Sequence, residues 1–390
     1  MEEKKRKRIY TNTIVGLVLL LFPIFANGQE MFPLPKPTHF EAGVPRSKLI
    51  VVKEIPLEFN DDGYMAEPRQ IAANSQGKIF IYDSKLVRIF MFDKKYEYVG
   101  EFLKIGAGPG ETKGPMGGPK GIYAGWNEKF YLIDTYGDKI IEFSNKGEYQ
   151  RDIKVNRIPK SFTPFFCAAD KNGYFYTASI NDGIVDLMDS QWKLVHTFLS
   201  RNLMDNYIYY RPEFEKYYGQ LFKGKGDLKE HMARKIWMDP SPKNVACDLT
   251  NNNYLFIYLY NSSTVYLFDG KNLVRKFNVL IDTVLPKYKE DINKFFNARK
   301  KRDSASIITS YNSLFDYCFL DYDEPYFYLL YKGDKKFMLS QFDLSGKLVR
   351  VISFPPYTFV TQLSKRNGLF YAIIENNEGT FPVIYKKVNE

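Results

Sequence analysis

Three cysteines and three histidines in 390 residues are a sparse supply of metal ligands and redox groups. His39, His196 and His231 stand far apart, and no Cys-x-x-Cys or His-x-x-x-His spacing occurs, so the common zinc patterns are excluded. No Gly-x-Ser-x-Gly elbow is present to expose a serine nucleophile. The chain is too long for a disulfide-held mini-protein and, at 45% hydrophobic residues, too apolar for a disordered tail. Its amino-terminal apolar run, residues 14–25, falls short of the roughly 20 residues of a membrane-spanning helix. Abundance lies elsewhere. Thirty tyrosines and 32 phenylalanines suit a half-buried pleated surface better than a helical bundle.

The amino terminus has the order of a secretory signal. Lys4, Lys5, Arg6, Lys7 and Arg8 precede the apolar run, and Ala26-Asn27-Gly28 place small residues at −3 and −1 of a cut before Gln29. An uncleaved anchor is the alternative, which the shortness of the run disfavours. No cysteine follows the run, so the bacterial lipid-attachment pattern is missing; the first is Cys167. Export to the periplasm, the cell surface or the medium is expected, with no membrane span left after cleavage. Loss of residues 1–28 removes five positive and two negative side chains, taking the formal charge from +10 to +7. The remaining basic clusters, 299–302 and 332–336, read as solvated faces rather than a nucleic-acid surface.

A repeat organises the rest. Lys78-Ile-Phe-Ile-Tyr-Asp-Ser84 through Phe92-Asp93 aligns with Lys129-Phe-Tyr-Leu-Ile-Asp-Thr135 through Phe143-Ser144. Each has an apolar strand, an Asp, a polar turn and a second strand, and a third follows at 98–103 and 149–155. Further copies span 174–189, 254–269 and 326–343, with closing strands at 193–199, 273–279 and 348–354. Cys167 lies 22 residues before Asp189 and Cys247 lies 22 before Asp269; the same step back from Asp93 and Ser144 reaches Ile71 and Ile122. Cys318 precedes Asp343 by 25, consistent with a short insertion. The three cysteines therefore read as buried apolar residues at one repeat position, not as disulfides or a thiol site.

Each unit supplies an inner strand plus three more, the composition of a propeller blade. Blades begin near 70, 121, 165, 245 and 315, and a sixth, 359–390, shows three strands, 359–363, 369–375 and 381–387. A strand at 48–59 is free to complete it and so close the ring. The expected organisation is a signal peptide over 1–28, a lead over 29–47 and one propeller over 48–390 with insertions at 201–244 and 281–314. What remains is about 44 residues per blade, as propeller repeats require. The fold class is all-β: a six-bladed β-propeller of four-stranded blades with two partly helical inter-blade insertions.

The stretch from Gln70 to Ile122 resembles six-bladed propellers of the NHL-like and TolB-like kind. It looks most like exported six-bladed propeller proteins of Bacteroidetes. The residues that carry the resemblance are Ile79-Phe-Ile-Tyr-Asp-Ser84, Arg88-Ile-Phe-Met-Phe-Asp93, and Ile105-Gly-Ala-Gly-Pro-Gly-Glu111 leading to Pro119-Lys-Gly-Ile122. The resemblance implies a fold and a compartment. Related propellers include lactone hydrolases and amidating lyases with metal-binding carboxylate, Asn or His residues around the channel, a set that the resemblance does not assign to residues of this sequence.

Four groups of residues invite a chemical reading. Gly106, Gly108 and Gly110 suggest a phosphate cradle, but strand follows them rather than helix, so they read as a tight passage with glycine at positive φ and Pro109 holding the bend. Asp83 and Asp134 recur at one strand end, where an Asp accepts hydrogen bonds from turn amides. Asp316, Asp321, Asp323 and Glu324 offer oxygen ligands to calcium or another divalent ion, but lack a glycine-turned loop and read as a solvated turn. The insertions are the clearest departures. Helix is expected over 228–237 and 286–303, and Tyr209, Tyr210, Arg211, Tyr217 and Tyr218 form an aromatic group able to stack on a sugar or hold a peptide, or else to anchor the excursion. The expected function is an exported scaffold that binds a glycan, peptide or envelope protein on its insertion-bearing face, with no catalysis and no cofactor. The alternative is a metal-dependent hydrolase or lyase with a site at the channel mouth.

Overall fold

The computed structural model describes residues 37–60, 63–112, 122–134, 137–155, 167–178, 185–199, 245–249, 254–259, 264–284, 317–320, 324–332, 336–356 and 359–390. Most of their strands fall into four-stranded antiparallel blades, in chain order in blades 1 to 5. Blade 1 is Pro68–Ala73, Ile79–Asp83, Arg88–Phe92 and Tyr98–Phe102; blade 2 is Ile122–Ala124, Phe130–Asp134, Lys139–Phe143 and Tyr149–Lys154. Blade 3 is Cys167–Ala169, Phe175–Ala178, Val185–Met188 and Leu194–Phe198; blade 4 is Val245–Leu249, Tyr254–Leu259, Thr264–Asp269 and Asn272–Asn278. Blade 5 is Tyr317–Leu320, Tyr326–Lys332, Phe337–Asp343 and Leu348–Ser353. Blade 6 takes Phe359–Arg366, Leu369–Asn376 and Gly379–Asn389 from the carboxyl terminus and Arg46–Glu54 from the amino terminus. First strands of successive blades neighbour one another from blade 1 through blade 6 and back to blade 1, which closes the ring around a channel. Among the described residues the only helical element is a 3-10 turn, Asp282–Val284.

The burial pattern explains the sequence pattern. Second strands are packed on both faces, so Ile79–Asp83 and Phe130–Asp134 are buried at every position and read as unbroken apolar runs. The outer strand Tyr98–Phe102 alternates between exposed and half-buried positions. Adjacent aromatics on a second strand face opposite neighbours. Phe80 meets Phe130 with ring centroids 3.9 Å apart, Tyr131 meets Phe175 at 5.0 Å and Tyr328 meets Phe370 at 5.7 Å. The high aromatic content therefore fills the wedge between blades, at about 1.5–3 kcal/mol for each large side chain buried. The blade 6–blade 1 seam is filled likewise, by Tyr371, Ile373 and Ile384 against Ile71, Ile79 and Ile81.

Closure by the amino-terminal strand differs in detail from the expected 48–59. The strand runs antiparallel to Gly379–Asn389 from Ser47↔Asn389 to Glu54↔Val383, and stops there. Ile55 still donates to the Pro382 carbonyl at 3.0 Å, but Pro56 has no N–H to continue the ladder. Glu58–Asn60 instead pairs with Gly63–Tyr64 in a small hairpin. At its other end Arg46–Lys48 also pairs in parallel with Val351–Ser353, the outer strand of blade 5. Blades 5 and 6 thereby share one eight-stranded sheet. The leader, insertion 201–244 and positions 285–314 of the second insertion, with the helices expected there, lie outside the described residues.

Candidate functional site

Asp83 ends the second strand of blade 1 and is fully buried. Its Oδ2 accepts the backbone N–H groups of Ala66 at 2.6 Å and Glu67 at 2.7 Å, on the segment that enters the blade. Its Oδ1 accepts those of Lys85 at 2.9 Å and Leu86 at 2.8 Å in the next turn. Asp134 stands at the same place in blade 2, also fully buried. It accepts Thr112 Oγ1–H at 3.0 Å, again from the entering segment, and Gly137 N–H at 2.8 Å. Each carboxylate thus latches a blade's entrance to its own second turn. Burial first, then the charges of Asp83 and Asp134, push the Tyr82 phenol well above its ordinary pKa.

In blade 5 the strand register puts Tyr331 where blades 1 and 2 have aspartate. The carboxylate comes instead from the lead: Tyr331 Oη donates to Glu41, and Thr283 Oγ1 donates to the same oxygen at 2.7 Å. Arg46 pairs with the other Glu41 oxygen at 3.2 Å. Burial, followed by the Glu41 charge, raises the Tyr331 pKa. The lead is fixed further by Thr38 and His39 N–H groups on the Leu280 carbonyl and by His39 Nε2 against the Gly346 carbonyl at 2.8 Å.

The glycine-rich linker is occupied by its own acid. Lys104–Ile105 and Glu111–Thr112 pair in parallel, and Glu111 Oε2 accepts Gly108 N–H at 2.8 Å. A Cβ on Gly106 would sit 2.0 Å from that oxygen and one on Gly108 2.9 Å from it. At these two positions the near neighbour is the carboxylate end of Glu111, which a Cβ would displace from the Gly108 N–H; neither glycine has positive φ. Gly110 alone of the three has positive φ, +73°, and a Cβ there would meet the Tyr149 ring at 2.7 Å. Pro109 lies exposed at the bend between them. The cradle closes around Glu111.

Backbone register places Cys167 opposite Thr177, Cys247 opposite Ile257 and Cys318 opposite Leu329. Ile71 opposite Ile81 and Ile122 opposite Leu132 hold the same inner-strand position in blades 1 and 2. Tyr209, Tyr210, Arg211, Tyr217, Tyr218, Asp316, Asp321 and Asp323 lie outside the described residues. Glu324 pairs with Lys365 at 3.4 Å. Among the described residues no three His, Cys, Asp or Glu side chains are placed to share a metal ion, and no helix is long and apolar enough to cross a membrane.

One cluster had no motif to announce it. At the turns from first to second strand, Arg366 of blade 6 pairs with Glu128 of blade 2 and lies over the Trp126 ring, 5.7 Å from its centroid. Trp126 donates its indole N–H to the Leu249 carbonyl of blade 4 at 2.9 Å and its backbone N–H to Ala169 of blade 3 at 2.9 Å. Ser75 N–H of blade 1 reaches Glu128 at 3.0 Å. Lys365 and Arg366 are only 3% and 7% exposed, unusual for two adjacent cations. The available signal was that basic pair, set at the end of an otherwise ordinary inner strand.

Residues 43–218 match the profile of a family described as a 6-bladed beta-propeller. Among solved structures, a Bacteroides fragilis protein classed by inference as exported is similar at TM-score 0.52 and 13% identity, over 88% of this chain and 95% of that one. A DUF4221-family member from Bacteroides vulgatus gives 0.47 at 11% identity, over 88% and 99%. A virginiamycin B lyase from Staphylococcus aureus gives 0.42 at 8% identity, over 90% and 98%. Likeness at these identities concerns fold, and the lyase's activity does not transfer with it. No curated protein matches the sequence. Sheet topology, ring closure and family match agree: the chain is a six-bladed β-propeller, similar in fold to the Bacteroides fragilis protein above, and residues 43–218 carry the match to the six-bladed propeller family.

Proposed function

We propose that the protein is an exported scaffold that binds a glycan, peptide or envelope protein at the end of the ring bearing its two insertions. The observation that carries this reading is the occupation of the recurrent acids. Asp83 accepts four backbone N–H groups, Asp134 ties Thr112 and Gly137, and Glu111 fills the glycine loop. These carboxylates are engaged in holding blade entrances and turns, which favours a rigid recognition frame over acid–base chemistry. Long connections on such a frame are the usual carriers of binding. The leader supports export, and the aromatic group at 207–218 supplies flat faces with polar tips suited to sugars or extended peptide.

Elemental analysis of the purified protein and a glycan and peptide array test this together. Retention of one glycan or peptide class, with binding unchanged by chelation, is the expected result. A stoichiometric divalent ion whose removal abolishes a hydrolytic or lyase activity would replace the scaffold reading with the enzymatic one.

A further inference from the structure

The turns between first and second strands meet at one end of the ring, and two of their contacts skip a blade. Arg366 of blade 6 reaches Glu128 of blade 2, passing blade 1. Trp126 of blade 2 reaches Leu249 of blade 4, passing blade 3. In a ring of six, contacts between alternate blades at the level of the inner strands cross the opening those strands surround. The two spans also stack, because the Arg366 guanidinium lies over the Trp126 ring. Glu324 brings in blade 5 through Lys365, and Asn367 Nδ2 donates to the Asn74 carbonyl of blade 1 at 3.1 Å. All six blades contribute. Two buried cations are tolerated here because each faces a carboxylate and an aromatic ring: Glu128 and Trp126 for Arg366, Glu324 and Phe370 for Lys365.

The wall beside this cluster is tied as well. Gln362 Oε1 accepts the Ile71 N–H at 3.1 Å across the blade 6–blade 1 seam, and Gln70 Oε1 accepts the Ile122 N–H at 2.5 Å across the next. Gln362, Ser364 and Arg366 alternate along one strand and share a face, so Ser364 lies one step inside the cross-channel contacts, with its hydroxyl buried.

We propose that Trp126, Glu128, Arg366, Lys365 and Glu324 form a floor that closes the central channel at this end, so that the channel is a blind well. That leaves the opposite end, where inner strands begin and both insertions join the ring, as the side of entry. A ligand of the kind proposed above would enter from that side; what the well receives rests on the binding reading, but its closure does not.

Single cysteines on the two sides of the floor test this: Ser364→Cys inside it and Asn367→Cys in the exposed turn beyond it. A small cationic methanethiosulfonate is the probe, and peptide mass analysis assigns its position among the native cysteines. The Ser364 hydroxyl is buried, so a probe entering by the mouth of the well does not reach it either, and in the otherwise intact protein Asn367→Cys is expected to react at least about tenfold faster than Ser364→Cys. Adding Arg366→Ala should bring the Ser364→Cys rate to within about threefold of the exposed site. Circular dichroism checks that the variant folds; where it does not, Glu128→Gln removes the charge pair with little change in shape. Equal rates at the two positions in the intact protein, or a Ser364→Cys rate that folded floor variants leave unchanged, would overturn the proposal. Neither readout needs a ligand, so a failed floor and a failed binding reading are told apart.

Discussion

Replacing Asp83 with asparagine tests the latch reading at its strictest, because shape is kept and only the oxygen count changes. Four backbone N–H groups converge on this buried carboxylate, two on each oxygen, at 2.6–2.9 Å. An asparagine keeps one oxygen and turns its NH2 toward the other pair of N–H groups. Two donors then face donors with no room for water. A hydrogen bond to a charged group contributes about 1.5–3 kcal/mol net, so loss of two, partly relaxed, should cost about 3–5 kcal/mol. Urea unfolding followed by both fluorescence and far-ultraviolet circular dichroism measures this, provided the slope is unchanged. Asp93→Asn is the matched control: that carboxylate also caps a turn, through Lys95 and Glu97 N–H, but at an exposed site, and little change is expected. If Asp83→Asn unfolds within about 1 kcal/mol of the parent, the latch argument fails. A neutral or stabilising effect accompanied by lost activity would instead mark Asp83 as a functional acid.

Three further outcomes follow from the same geometry. Gly106→Ala should destabilise by about 1–3 kcal/mol by forcing Glu111 out of its loop, and Gly110→Ala by a similar amount through positive φ and the Tyr149 ring, whereas Pro109→Ala at the exposed bend should cost under about 1 kcal/mol; thermal melts of the three compare them. His39 has a lowered pKa from burial, partly offset by the Gly346 carbonyl, and His196 is lowered by burial and Lys271. The unfolded chain thus binds these protons more readily, so stability is full above the ordinary histidine pKa and falls as pH drops through and below it; His39→Gln should flatten that slope in urea titrations from neutral to mildly acidic pH. Cys167, Cys247 and Cys318 share a register position with buried Ile71 and Ile122, so they should react slowly with thiol reagents until urea unfolds the ring, and rapid native labelling would refute that assignment.

The repeat was legible because it is written in local chemistry. The continuous burial of Ile79–Asp83 and Phe130–Asp134 makes unbroken apolar runs, and the turn signals between them set strand limits within a residue or two. Pairing of Arg46–Glu54 with Gly379–Asn389 could be inferred from a blade one strand short. Its parallel pairing with blade 5 could not, because nothing in 46–48 distinguishes a strand with one partner from a strand with two. Glu41 serving Tyr331 across 290 positions, and Arg366 serving Glu128 across 238, depend on juxtapositions that ring closure creates and no repeat period encodes. The glycine loop is legible as a tight passage, but positive φ belongs to Gly110 alone, and at Gly106 and Gly108 the near neighbour is the Glu111 carboxylate.

Site-directed photo-crosslinking in native envelope extract addresses the binding claim most directly. A photoreactive residue at Tyr209 or Tyr217, within the first insertion of the sequence, is compared with one at Asn367, beyond the floor. Discrete crosslinked products from positions 209 and 217, absent at 367, are what the scaffold reading predicts. Products confined to position 367, or none from either insertion site in a protein that folds and is exported, would contradict it.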